Sequence, residues 1–102
     1  MPQPRLSRRA QADLADIARY LKRAANHTIA ARYVRGIRSA VNRLADFPQI
    51  GSPCPQLGAD VRITRVQPYL IIYSVEPFGT NVRVLRIFHS SRNITADMLG
   101  EN

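Results

Sequence analysis

Residues 60–76 read DVRITRVQPYLIIYSVE, two β-patterned runs separated by a single proline, and the fold is decided there. β-Branched and aromatic side chains dominate both runs, DVRITRVQ (60–67) and YLIIYSVE (69–76), as a pleated, half-buried surface prefers. Pro68 has no N–H to give a sheet, so it belongs at a turn or an edge rather than inside a strand. A third run, NVRVLRIFH (81–89), follows after PFGT, whose Pro and Gly suit a tight connection. Three consecutive strands joined by short links predict an antiparallel meander.

Upstream the period changes. Ala10, Leu14, Ile17, Ala18 and Leu21 recur at helical spacing behind Ser7, predicting an amphipathic helix over about Arg8–Ala25. Ile29, Tyr33, Ile37, Val41 and Leu44 repeat the pattern from a cap at Thr28 to about Asp46, and the short NHT connection implies an antiparallel hairpin. His27, in that connection, is expected to be solvated. PQPRLS reads as an extended lead-in. FPQIGSPCPQLG (47–58) is a loop, with Phe47 and Ile50 expected to seal one end of the core, and the tail NITADMLGEN has room for a short helix. The expected fold is α+β: one domain, 1–102, with an N-terminal helical hairpin on one face of a small antiparallel sheet. Leu14, Ile17, Leu21, Ile37, Val41, Leu44, Ile71, Tyr73, Leu85 and Ile87 form the expected core.

The totals narrow the function. One cysteine among 102 residues excludes an internal disulfide, and no His/Cys/Asp/Glu cluster has metal-ligand spacing, so no cofactor is expected. No apolar run spans a membrane and no signal-peptide pattern opens the chain, so a cytoplasmic protein is expected. Fifteen Lys+Arg against seven Asp+Glu give +8, and all but one of these cations are arginine, whose rigid fork suits carboxylates and phosphates. Residues 1–46 alone hold ten positive and three negative side chains, net +7, which points to an anionic partner.

The last strand raises the question of chemistry. In VRVLRIFH, alternation puts Val82, Val84, Arg86 and Phe88 on one face and Arg83, Leu85, Ile87 and His89 on the other. Leu85 and Ile87 are the better candidates for the helix-covered side, leaving Arg86, like Arg65 in ITRV, on the uncovered face. Like charges there need compensation, from an anion or from Glu76 or Asp60. His89 and Arg92 end the strand. A His among arginines suits phosphodiester cleavage, with His as acid or base and Arg stabilising charge. Yet no second His and no paired carboxylates accompany it, and Ser90 and Ser91 lack a nucleophile turn.

RLSRRAQADLADIARYL, FPQIGSP, RVQPYLIIYSV and VRVLRIFHSSRNI, in that order over about residues 5–94, together resemble the ParE/RelE superfamily of toxins from type II toxin–antitoxin systems. The resemblance implies a helical hairpin on an antiparallel sheet and a cognate, ParD-like antitoxin whose acidic C-terminal segment folds on binding, in a hetero-oligomer. Leu14, Arg19, Arg32 and Arg35 are the expected antitoxin contacts. The RelE-like branch cuts mRNA on the ribosome without a metal, and it commonly carries an arginine where this chain has Leu70 and a catalytic Tyr or His in the tail, which this chain lacks. The ParE branch inhibits DNA gyrase and typically ends its last strand in His-x-x-Arg, matched by His89 and Arg92. The resemblance therefore implies a gyrase inhibitor with Arg65, Arg86, His89 and Arg92 facing the target; the same four would serve the alternative ribonuclease.

Overall fold

A computed structural model describes residues 3–76 and 81–99; the expected PFGT turn lies outside them. Two helices pack on a five-stranded sheet, with elements in the order β1 (Arg5–Leu6), α1 (Arg8–Ala24), α2 (His27–Asp46), β2 (Ser52–Pro53), β3 (Val61–Val66), β4 (Tyr69–Val75), β5 (Val82–His89) and a 3₁₀ turn at Ala96–Leu99. Strand order is β1-β5-β4-β3-β2. The meander β3-β4-β5 is antiparallel as expected, but β1 runs parallel to β5, which makes the sheet mixed. The two-residue β2, paired with β3 at Ser52–Ile63 and Pro53–Arg62, lies inside the proline-rich loop, where composition alone hides it.

Local chemistry sets the helix ends. The Ser7 hydroxyl accepts the Ala10 N–H at 3.0 Å, capping α1, and Lys22 and Arg23 occupy its last turn, where cations suit the helix dipole. The cap of α2 is Asn26, whose Oδ1 accepts from Ile29 N–H at 2.9 Å, so α2 starts at His27, ahead of the expected Thr28 cap. The main core joins Leu14, Ile37, Val41 and Leu44 of the helices to Ile71, Tyr73, Val84 and Ile87 of the sheet. Ile17 packs at its margin, and Leu21 is half-buried rather than central.

Three expectations change. Leu85 is the extra residue of a β-bulge: Tyr73 pairs with Val84 and Ile72 with Arg86, so Leu85 has no opposite number. The bulge resets the alternation. Val82 and Val84 join Ile87 under the helices, whereas Leu85 packs with Phe88 on the far face. That far face is not bare either, because Ile94, Met98 and Leu99 of the tail pack against Val61, Ile72 and Phe88. Phe47 and Ile50 do not seal the core; they are 58% and 52% exposed. Their loop is instead latched from inside by Tyr73, whose hydroxyl donates to Pro48 O at 2.8 Å and accepts from Gly51 N–H at 2.9 Å. Arg62 adds bonds to the carbonyls of Gln49 and Gly51. A side chain at Gly51 would place Cβ 2.6 Å from the Tyr73 hydroxyl, so the latch requires glycine there.

Candidate functional site

The end of β5 gathers the chain's most concentrated chemistry. Arg86 crosses the sheet edge to Asp13 of α1, with Nε donating to Oδ2 at 2.8 Å and Nη2 to Oδ1 at 3.0 Å. Its remaining nitrogen, Nη1, donates to Met98 O at 3.0 Å. Hydrogen bonding to the Asp13 carboxylate raises the pKa of Arg86 above its ordinary value, against an opposing burial effect. Asp13 also accepts the backbone N–H of Ile87 at 3.0 Å. The compensating carboxylate is therefore Asp13, not Glu76 or Asp60. It lies 73 residues away in the chain, and no local pattern announces it.

Two guanidiniums lie over the ring of Phe88, which is 3% exposed, with Arg86 Cζ 4.4 Å and Arg92 Cζ 4.8 Å from its centroid. Such contacts stabilise and also orient the cations. Leu70 lies opposite Phe88 and is buried, so the place that carries a cation in the nuclease branch is here part of an apolar row. Arg65 is opposite Leu70 on β3, exposed, and two strands from Phe88, about 10 Å at ordinary strand spacing.

His89 points to the helix side. Its ring meets Tyr69 edge-on at 5.7 Å, and Tyr69 meets Tyr33 of α2 at 5.9 Å, an aromatic ladder from helix to strand end. The Ser91 N–H donates to His89 Nδ1 at 3.0 Å, so the neutral ring keeps its proton on Nε2. Beside it a shallow groove of about 620 Å³ runs between α1 and the strand ends, with Ile17, Leu21 and Tyr69 along it, Tyr20 59% exposed, and His89 and Arg92 at its margin. Burial raises the Tyr69 phenol above its ordinary value, and it does the same, more strongly than the Gly51 hydrogen bond lowers it, for Tyr73. Neither phenol is suited to act as a base near neutral pH.

The four expected target-facing residues thus divide: His89 and Arg92 share a margin, Arg86 is held by Asp13, and Arg65 stands apart. Of the expected antitoxin contacts, Arg19, Arg32 and Arg35 are exposed on the hairpin, with Arg19 paired to Asp16. Leu14 is a correction. At 4% exposure it is core, reaching only the floor of a groove beside Ala18, Val34 and Arg38. Sequence reasoning missed Asp13 and Tyr20, the first because its partner is distant, the second because an exposed aromatic on a helix has no local mark.

The arrangement is a helical hairpin on a small mixed sheet, with His89 and Arg92 exposed at one strand end. The fold matches a structure of the chromosomal ParDE toxin–antitoxin system of P. aeruginosa, with TM-score 0.73 and 24% identity over 87% of this chain and 96% of that one. It also matches a chain of the RelBE2 toxin–antitoxin complex of Mycobacterium tuberculosis, with TM-score 0.58 and 23% identity over 85% and 95%. In sequence, Toxin ParE1 of Caulobacter vibrioides is 34% identical over 94 residues, 92% of this chain and 95% of that protein. Residues 5–94 match the profile of the ParE toxin of the type II toxin–antitoxin system, parDE. The chain belongs to the ParE toxin family.

Proposed function

We propose that this ParE-family toxin acts by binding and inhibiting DNA gyrase, without catalytic chemistry of its own, and that a cognate antitoxin with an acidic C-terminal segment neutralises it in a hetero-oligomer. The observation that carries the reading is the Asp13–Arg86 pair: a cation already bound on three sides by Asp13 and Met98 O is not free to stabilise a phosphorane. The buried Leu70 and the raised tyrosine pKa values point the same way. His89 and Arg92 remain as an exposed rim that a protein target can read. The antitoxin part is supported by the net +7 of residues 1–46, which draws and orients an acidic segment.

The deciding experiment adds purified protein to gyrase with supercoiled DNA and, separately, to translating ribosomes. Cleaved DNA–gyrase complexes are expected to accumulate, and Arg92→Ala to weaken the effect about tenfold, in line with the loss of one interfacial charge contact. mRNA cut at codons by the wild type, and spared by His89→Ala, would replace this reading with the ribonuclease one.

A further inference from the structure

The two edges of the sheet are treated differently. Beyond β1, the edge of β5 is closed by side chains: Ser7 donates its hydroxyl to Leu85 O at 2.8 Å, and Asp13 takes the Ile87 N–H. Among the described residues, the edge of β3 has no such cover past β2. Cys54 N–H donates to Val61 O, so Val61 directs its backbone groups outward, and alternation turns Ile63 and Arg65 the same way. β2 ends its pairing at Ile63, which leaves the N–H and C=O of Arg65 facing out with no strand of the described residues opposite.

The surroundings of that gap are shaped. On the helix side lies a recess of about 220 Å³, walled by Gly36 and Ala40 of α2, Ile50 and Val66, and wide enough for an aliphatic side chain. Ile50 is held exposed there by the Tyr73 and Arg62 latch. On the opposite face, where Ile63 packs, alternation places the Arg65 side chain. Arg43, Thr64 and Arg65 border the recess as well.

We propose that this edge receives an extended segment of a partner protein as a sixth strand, alternating aliphatic residues toward the recess with carboxylates toward Arg65. Charge selects the occupant. A second copy would bring another chain of net +8, with its own Arg43 and Arg65, against the same cations, whereas an acidic segment neutralises them. Backbone bonds supply affinity in this mode and alternate side chains supply specificity. The proposal rests on the acidic-partner part of the functional reading and gives that partner a place and a backbone conformation.

The test uses the whole ¹⁵N-labelled protein and a synthetic peptide alternating glutamate with valine. The Arg65 amide is expected to shift on titration and to exchange its hydrogen at least tenfold more slowly. A lysine–valine peptide should bind at least tenfold more weakly. Arg65→Pro removes the outward N–H together with the guanidinium, a change that an edge strand tolerates, and should abolish binding, whereas Arg65→Gln, which keeps the N–H, should weaken it only in part. Should the proline variant misfold, Ile50→Glu changes only an exposed side chain and should also lower binding at least tenfold. Shifts centred on the groove of Tyr20 and His89, dependence on protein concentration without peptide, or no shift at millimolar peptide would each overturn the proposal. The cognate antitoxin is measured in parallel. Full affinity for Arg65→Pro overturns the strand-edge site and leaves the antitoxin reading intact, while no affinity for the wild type overturns that reading itself.

Discussion

Asp13 accepts three hydrogen bonds through one carboxylate, two from Arg86 and one from the Ile87 backbone, and both side chains are largely buried, 13% and 16% exposed. Removing one member of such a pair strands the other. Asp13→Ala is therefore expected to cost on the order of 3 kcal/mol, read as a lower midpoint in urea, and Asp13→Leu with Arg86→Met to recover a good part of it. Tyr73 makes a similar commitment with a neutral group. Tyr73→Phe leaves Pro48 O and Gly51 N–H without their partner and should cost about 1–3 kcal/mol. The same burial has a pH consequence. A phenol whose pKa is raised in the folded state stabilises the protein fully below the unfolded value, here 10.0, and that stability is lost as pH rises through the folded value. Alkaline unfolding is expected above pH 10, with the ionisation of Tyr69 and Tyr73 displaced upward from that value in a 295 nm titration.

Between elements, Ser7 is the joint of β1, α1 and β5. It caps α1 and bonds Leu85 O, so Ser7→Ala is expected to cost about 1–2 kcal/mol in a thermal melt and to loosen β1. Both helices and the three long strands were legible because their periods of 3.6 and 2 are written in apolar residues such as Leu14, Ile37 and Ile71. What was not legible involves geometry without composition. The bulge at Leu85 reverses the facing of half of β5, yet no glycine or proline marks it. Phe47 and Ile50 look like core residues until the Tyr73 latch turns their loop outward. At the site, the strand-end pair His89 and Arg92 could be found from sequence, whereas the engagement of Arg86 could not, because its partner belongs to the first helix.

Across the whole molecule, the net charge of +8 acts as a field. Association with an acidic partner segment should slow at least tenfold in stopped-flow mixing between about 50 mM and 500 mM salt, while dissociation changes less. A rate indifferent to salt would remove the electrostatic part of the antitoxin reading.

The parallel pair of β1 and β5 joins residues 5–6 to residues 83–84, and the Ser7–Leu85 bond spans 78 positions of the chain. During synthesis, both helices are made before any of the long strands, and the sheet edge stays open until β5 has been made. Such distant closure is slow and comes late in folding. The fastening contacts at Ser7 and Asp13 should accordingly govern how fast the finished protein opens more than how fast it forms, so Ser7→Ala is expected to speed unfolding in a chevron plot and leave the folding limb nearly unchanged. A nascent chain interrupted before β5 would then leave the apolar face of the hairpin short of Val84 and Ile87, and would lack the strand that carries His89 to its end.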